Sequence, residues 1–111
     1  MTYDMDQIVE LKRIAPNLSQ AEEGGFSYIR IAGYSLPEGC MPATCDLLLC
    51  PQPRDNYQSR LFFPSQITGC VARNWNGNIR VLGENWFAFS WATKPNLRLA
   101  EMLLVHINGL R

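Results

Sequence analysis

Several absences narrow the reading of this 111-residue sequence before any motif does. No run of about 18 apolar residues occurs, so no membrane span is expected. The N-terminal "MTYDMDQIVELKR" places acids near its start and has no apolar stretch of signal-peptide length, so no secretory leader is expected. A cytoplasmic setting follows as the expectation, and thiols there stay reduced. Charge of one sign is missing too, since ten basic residues meet ten acidic ones. Lys and Arg are scattered with no basic run to track a phosphate backbone, so nucleic acid is not an expected partner. Histidine occurs once, as His106, which leaves too little for a serine triad or a metal-assisted hydrolase. Repeats, low-complexity tracts and a phosphate-cradling glycine loop are all missing, and no cofactor is expected.

What is present is a globular composition, with 47% hydrophobic and 18% charged residues. The length suits one domain over residues 1–111. The cysteines are Cys40, Cys45, Cys50 and Cys70. Structural zinc sites usually pair ligands two to four residues apart with further ligands close by. Here the first three cysteines are evenly spread and the histidine is distant, so no metal site is expected.

Residues 4–14 read as a first helix, capped by Asp4 or Asp6, with Met5, Ile8, Val9 and Leu11 as its apolar face. Pro16 and Asn17 stop it. "SQAEEGG" reads as a polar loop. "FSYIRIAGYSL" alternates as a strand, with Gly33 at a bulge or end. "PEGCMPA" is a turn, and the continuously apolar "TCDLLLCP" suits a central strand. "YQSRLFFPSQI" reads as a third strand or extended segment and "NIRVL" as a short one, while "NWNGN" is a turn signal. The end, "LRLAEMLLVHINGLR", is a helix with Asn96 at its N-cap and a stripe of Leu99, Met102, Leu103, Ile107 and Leu110. The expected class is α+β: an N-terminal helix, an antiparallel four-stranded meander, an irregular segment and a C-terminal helix.

The ordered set Leu36-Pro37-Glu38-Gly39, Asp46 to Leu49, Pro53 to Tyr57, Leu61 to Pro64 and "ENWFAFSW" resembles the ubiquitin-conjugating-enzyme superfamily, in its bacterial branch. The resemblance covers roughly residues 4–110 and implies a helix on a four-stranded meander, with the active site in the long segment after the fourth strand. It implies a cytoplasmic carrier that takes a ubiquitin-like protein as a cysteine thioester from an activating-enzyme-like protein and passes it to an amine. A deconjugating metalloprotease and an antiphage setting are further implications. Eukaryotic members carry Tyr-Pro, Pro-Pro and His-Pro-Asn motifs that this chain lacks. Aligning "WNGNIRVL" with their Asn-Gly turn puts Arg80 near the usual cysteine, and Cys70 near the His-Pro-Asn position. The alternatives are a catalytically inactive member acting as a protein-binding adaptor, and a small protein of unrelated α+β fold.

Cys70 is the candidate nucleophile, beside Gly69 and a polar loop carrying Arg73; Asn74 and Asn76 are candidate oxyanion donors or loop supports. The plainer reading makes Cys70 a packed strand-end residue, because free cysteine is among the most buried types. Cys45 and Cys50, an odd number apart, fall on opposite strand faces and read as packed. Cys40, in a turn, is the second-ranked thiol and reads as exposed. His106 lies on the buried helical stripe and reads as a satisfied core residue before it reads as a base. Trp75, Trp86, Phe87, Phe89 and Trp91 read as packing first and as a binding surface second.

Overall fold

A computed structural model describes residues 3–111. Helix α1 spans Met5–Lys12, and the Asp4 carboxylate caps it by accepting from the Asp6 N–H at 3.0 Å. Ile8 and Leu11 are its buried face, whereas Met5 and Val9, expected there, point to solvent.

Four strands follow: β1 Leu18–Glu23, β2 Phe26–Ser35, β3 Thr44–Cys50 and β4 Arg60–Phe62. They form one antiparallel sheet in the order β1-β2-β3-β4. Strand β1 corrects the expectation of a polar loop at "SQAEEGG". It is an edge strand whose side chains are exposed or half-buried, so it carries no apolar signature. Its hairpin with β2 turns on Gly24 and Gly25, at φ +60° and +83°, the two left-handed positions of a tight two-residue turn. Gly33, at φ +58°, sits where the β2–β3 register shifts, and its N–H donates to the Asp46 carboxylate at 3.0 Å. The bulge read from Gly33 is therefore there.

The sheet buries both faces, which explains the unbroken apolar run in β3. Leu47 and Leu49 pack with Ile29, Ile31, Leu61 and the helices; Leu48 and Cys50 pack with Tyr28, Phe62 and Trp86. The second face is covered by a hairpin of β5 Trp75–Val81 and β6 Glu84–Phe89. Leu82 and Gly83, at φ +54° and +77°, make its turn. The expected irregular segment is thus partly regular, and "NWNGN" lies in a strand rather than a turn, its Asn-Gly step marking a register shift between Trp75 and Gly77. Paired hydrogen bonds of 2.7 Å between Phe63 and Phe87 attach the hairpin to the end of β4. Its tip crosses to β1 and β2, where the Leu82 N–H donates to Glu23 and Arg30 pairs with Glu84.

Helix α2 spans Leu99–Asn108. Arg98, not Asn96, is its N-cap: Asn96 stands at φ +62° and the Arg98 N–H donates to the Glu101 carboxylate at 3.1 Å. Leu99, Met102, Leu103, Ile107 and Leu110 are all buried. The α2 start is tied to α1 by Leu99 N–H to Gln7 at 3.0 Å and by Arg98 to Glu10 at 3.0 Å. Among the described residues, no helix is long and apolar enough to cross a membrane.

Candidate functional site

The thiols divide by environment. Cys50 is fully buried and its thiol is pushed up by burial. Cys45 is half-buried on the other face of β3, and burial pushes it up to about 11. Cys40, expected to be exposed, is only 4% exposed. Its turn folds inward: the Cys40 N–H donates to the Pro37 carbonyl at 3.2 Å, and Met41 bridges Thr68. Burial again raises its thiol, with Cys70 beside it as the next cause.

Cys70 lines an open cavity of about 740 Å³, which it shares with Glu38, Arg73, Trp75, Leu110 and Arg111. It is half-buried, and its Sγ–H donates to the Ile67 carbonyl at 3.5 Å. The loop is fixed on both sides. The Val71 N–H donates to the Leu110 carbonyl at 3.2 Å, and the Arg73 guanidinium donates back to the Cys70 carbonyl at 2.7 Å and to Ala72 at 3.2 Å. Arg73, Arg111 and Glu38 thus line the same open cavity as a half-buried thiol, which leaves room for a partner chain to approach it.

The asparagines do not join it. Successive strand residues face opposite sides, so Trp75 lines the Cys70 cavity while Asn76 lines another, of about 620 Å³, with Asp55, Tyr57 and Arg60. The Asn76 amide oxygen accepts from Arg60 at 2.6 Å and its NH₂ donates to the Tyr57 hydroxyl at 3.2 Å. Asn74 is exposed, and its carbonyl accepts from the Ser90 N–H at 2.8 Å.

Arg60 is the residue sequence reasoning missed. It is 3% exposed, donates to Asp55 and to the Phe89 carbonyl at 3.3 Å, and lies over the Tyr57 ring at 4.4 Å. Hydrogen bonds with Ser90 and Asn76 hold the Tyr57 hydroxyl below the usual phenol value. A charge flanked by Ser59 and the apolar "LFF" was the available signal, because a cation inside an apolar strand needs built partners. Behind it, His106 Nε2 shares a hydrogen bond of 2.9 Å with Ser59 Oγ, which in turn meets Thr93 at 3.2 Å. Burial, then the Arg60 charge, lowers His106 to about 4, so it is a neutral core imidazole.

Arg80 is exposed on the hairpin and donates to Asn85 at 3.2 Å. Trp86 and Phe89 are buried, with Trp75, Phe63, Phe89 and Trp91 in successive ring contact. Among the described residues, no group of three or more His, Cys, Asp or Glu is placed to hold a metal ion. Comparison with known proteins finds no matching family model, curated protein or solved structure.

Proposed function

We propose that the chain is a ubiquitin-conjugating-enzyme-like protein that carries a ubiquitin-like protein as a thioester on Cys70. In the first step the Cys70 thiolate attacks the thioester carbonyl held by an activating-enzyme-like partner. The carbon–sulfur bond to the partner breaks, the partner's sulfur leaves as a thiolate, and it takes back from solvent the proton that Cys70 had released. In the second step an amine attacks the new thioester, an amide forms, and the Cys70 thiol is released. The observation that supports this reading is the contrast among the thiols: burial raises Cys40, Cys45 and Cys50, while Cys70 opens on a cavity bordered by Arg73 and Arg111. An extended C-terminal tail has room there.

The test is a loading reaction with a bacterial ubiquitin-like protein and its activating enzyme, read on a non-reducing gel. A reductant-sensitive adduct is expected, lost in Cys70→Ala and retained in Cys45→Ala and Cys50→Ala. An adduct that survives Cys70→Ala overturns the assignment. A second reading, an inactive adaptor of the same fold, draws support from the engagement of Asn76 by Arg60 and from Arg80 where eukaryotic relatives place their cysteine. It predicts saturable binding of the ubiquitin-like protein without any adduct.

A further inference from the structure

The segments carrying Cys40 and Cys70 are laced together as a short antiparallel pair. The Met41 N–H donates to the Thr68 carbonyl at 2.8 Å, and the Thr68 N–H returns to the Met41 carbonyl at 3.1 Å. That register sets Cys40 opposite Gly69, one residue from Cys70. The backbones touch at this point: a methyl on Gly69 would overlap the Gly39 carbonyl oxygen and stand 3.8 Å from the Cys40 Cα. Both glycines have positive φ, +93° and +73°, so the approach depends on them. Cys40 belongs to the main core, Cys70 packs against the same core from its rim, and Cys70 is among the causes that raise the Cys40 thiol. Both are free. Cys45 and Cys50, an odd number apart on β3, face opposite sides of the sheet and cannot meet.

We infer that Cys40 and Cys70 form an oxidisable dithiol, in which Cys70 meets a hydroperoxide and Cys40 resolves the product as an intramolecular disulfide. The Cys70 sulfur attacks the distal oxygen of the hydroperoxide, the O–O bond breaks, an alcohol or water leaves, and Cys70 becomes a sulfenic acid. The Cys40 sulfur then attacks the Cys70 sulfur, the S–O bond breaks, water leaves with the Cys40 proton, and the S–S bond forms. The division of roles follows from access, since Cys70 lines the open cavity and Cys40 lies beneath it. Raised by burial, Cys40 is a slow thiol in the abstract, and proximity to Cys70 is what makes it the resolving partner. One consequence rests on the proposed function: the disulfide would remove the thiol that carries the thioester.

The chemistry is tested without any conjugation partner. The native protein is treated with a small excess of hydrogen peroxide, alkylated under denaturing conditions, digested without reduction, and read by mass spectrometry. A linked peptide pair holding Cys40 and Cys70 is expected, with Cys45 and Cys50 alkylated. In Cys40→Ser, Cys70 is expected to advance to sulfinic acid, and in Cys70→Ser, Cys40 is expected to stay alkylatable. Sulfinic Cys70 beside a free Cys40 in the wild-type chain overturns the inference, as does a linked pair involving Cys45 or Cys50. Loading of Cys40→Ser without peroxide and without thiol reductant is a separate readout. Its failure would bear on the thioester reading and leave the disulfide result standing.

Discussion

His106 offers the sharpest test of the packing described here, because it is the only histidine in the chain. The imidazole is bonded to Ser59, and burial followed by the Arg60 charge lowers it from 6.5 to about 4. The unfolded chain therefore binds a proton near its ordinary value while the folded chain binds it only near 4. Stability is complete above about pH 6.5 and falls as the pH drops through the window down to about 4. The full separation corresponds to about 3 kcal/mol. Between about pH 7.5 and about pH 5 the loss is about 2 kcal/mol, before most carboxylates titrate. In urea titrations the unfolding midpoint should fall by about 1–2 M over that interval. His106→Gln keeps a polar partner for Ser59 and should flatten the dependence, whatever it does to stability itself. Proton resonances of the ring give an independent readout in the wild-type protein. An imidazole that titrates near 6.5 in the folded state, or equal pH slopes in wild type and His106→Gln, would refute the reasoning.

Three further outcomes follow from particular contacts. Gly109→Ala places a methyl 2.8 Å from both Phe89 and Trp91, so it should cost about 1–3 kcal/mol in chemical denaturation despite the better helix propensity of alanine. Arg60→Met strips partners from the Phe89 carbonyl and Asn76; a loss of about 2–3 kcal/mol is expected. It should also move His106 upward, measurable by ring-proton titration, because one cause of its lowering is gone. Trp86→Phe removes the indole donor to the Val81 carbonyl at 3.1 Å and the stacking surface for Arg30, and should cost about 1–3 kcal/mol, read as a lower thermal midpoint.

The elements that announced themselves were those with one buried face and strong punctuation. Helix α1, β2, the apolar β3 and the stripe of α2 were legible from periodicity and from Pro16 and Gly33. Strand β1 was hidden because an edge strand needs only one partner, and Leu18 and Ala21 are its sole half-buried residues. The β5–β6 hairpin was hidden because the Asn-Gly step that normally signals a turn lies in the strand, and Leu82-Gly83 makes the turn instead. At the site, the separation of Asn76 from Cys70 depends on strand alternation, which needs the register that only folding fixes. Cys40 was misjudged for a related reason. Turn composition says nothing of which way a turn leans, and this one leans onto Thr68. Arg60 was passed over because its partners, Asp55, Asn76 and the Phe89 carbonyl, come from three separate segments.

Strand β1 has a consequence for how the molecule lives among its own copies. With one long edge bonded to β2, its other edge has no strand partner among the described residues, and an unpaired edge is the template on which chains add to one another into fibrils. Its side chains, Leu-Ser-Gln-Ala-Glu-Glu, are the opposite of a sticky segment: four of the six are exposed and two of those are acidic. Two chains meeting edge to edge would bury little apolar surface there. The polarity that concealed this strand from pattern reading is thus the property that keeps the sheet finite at high concentration.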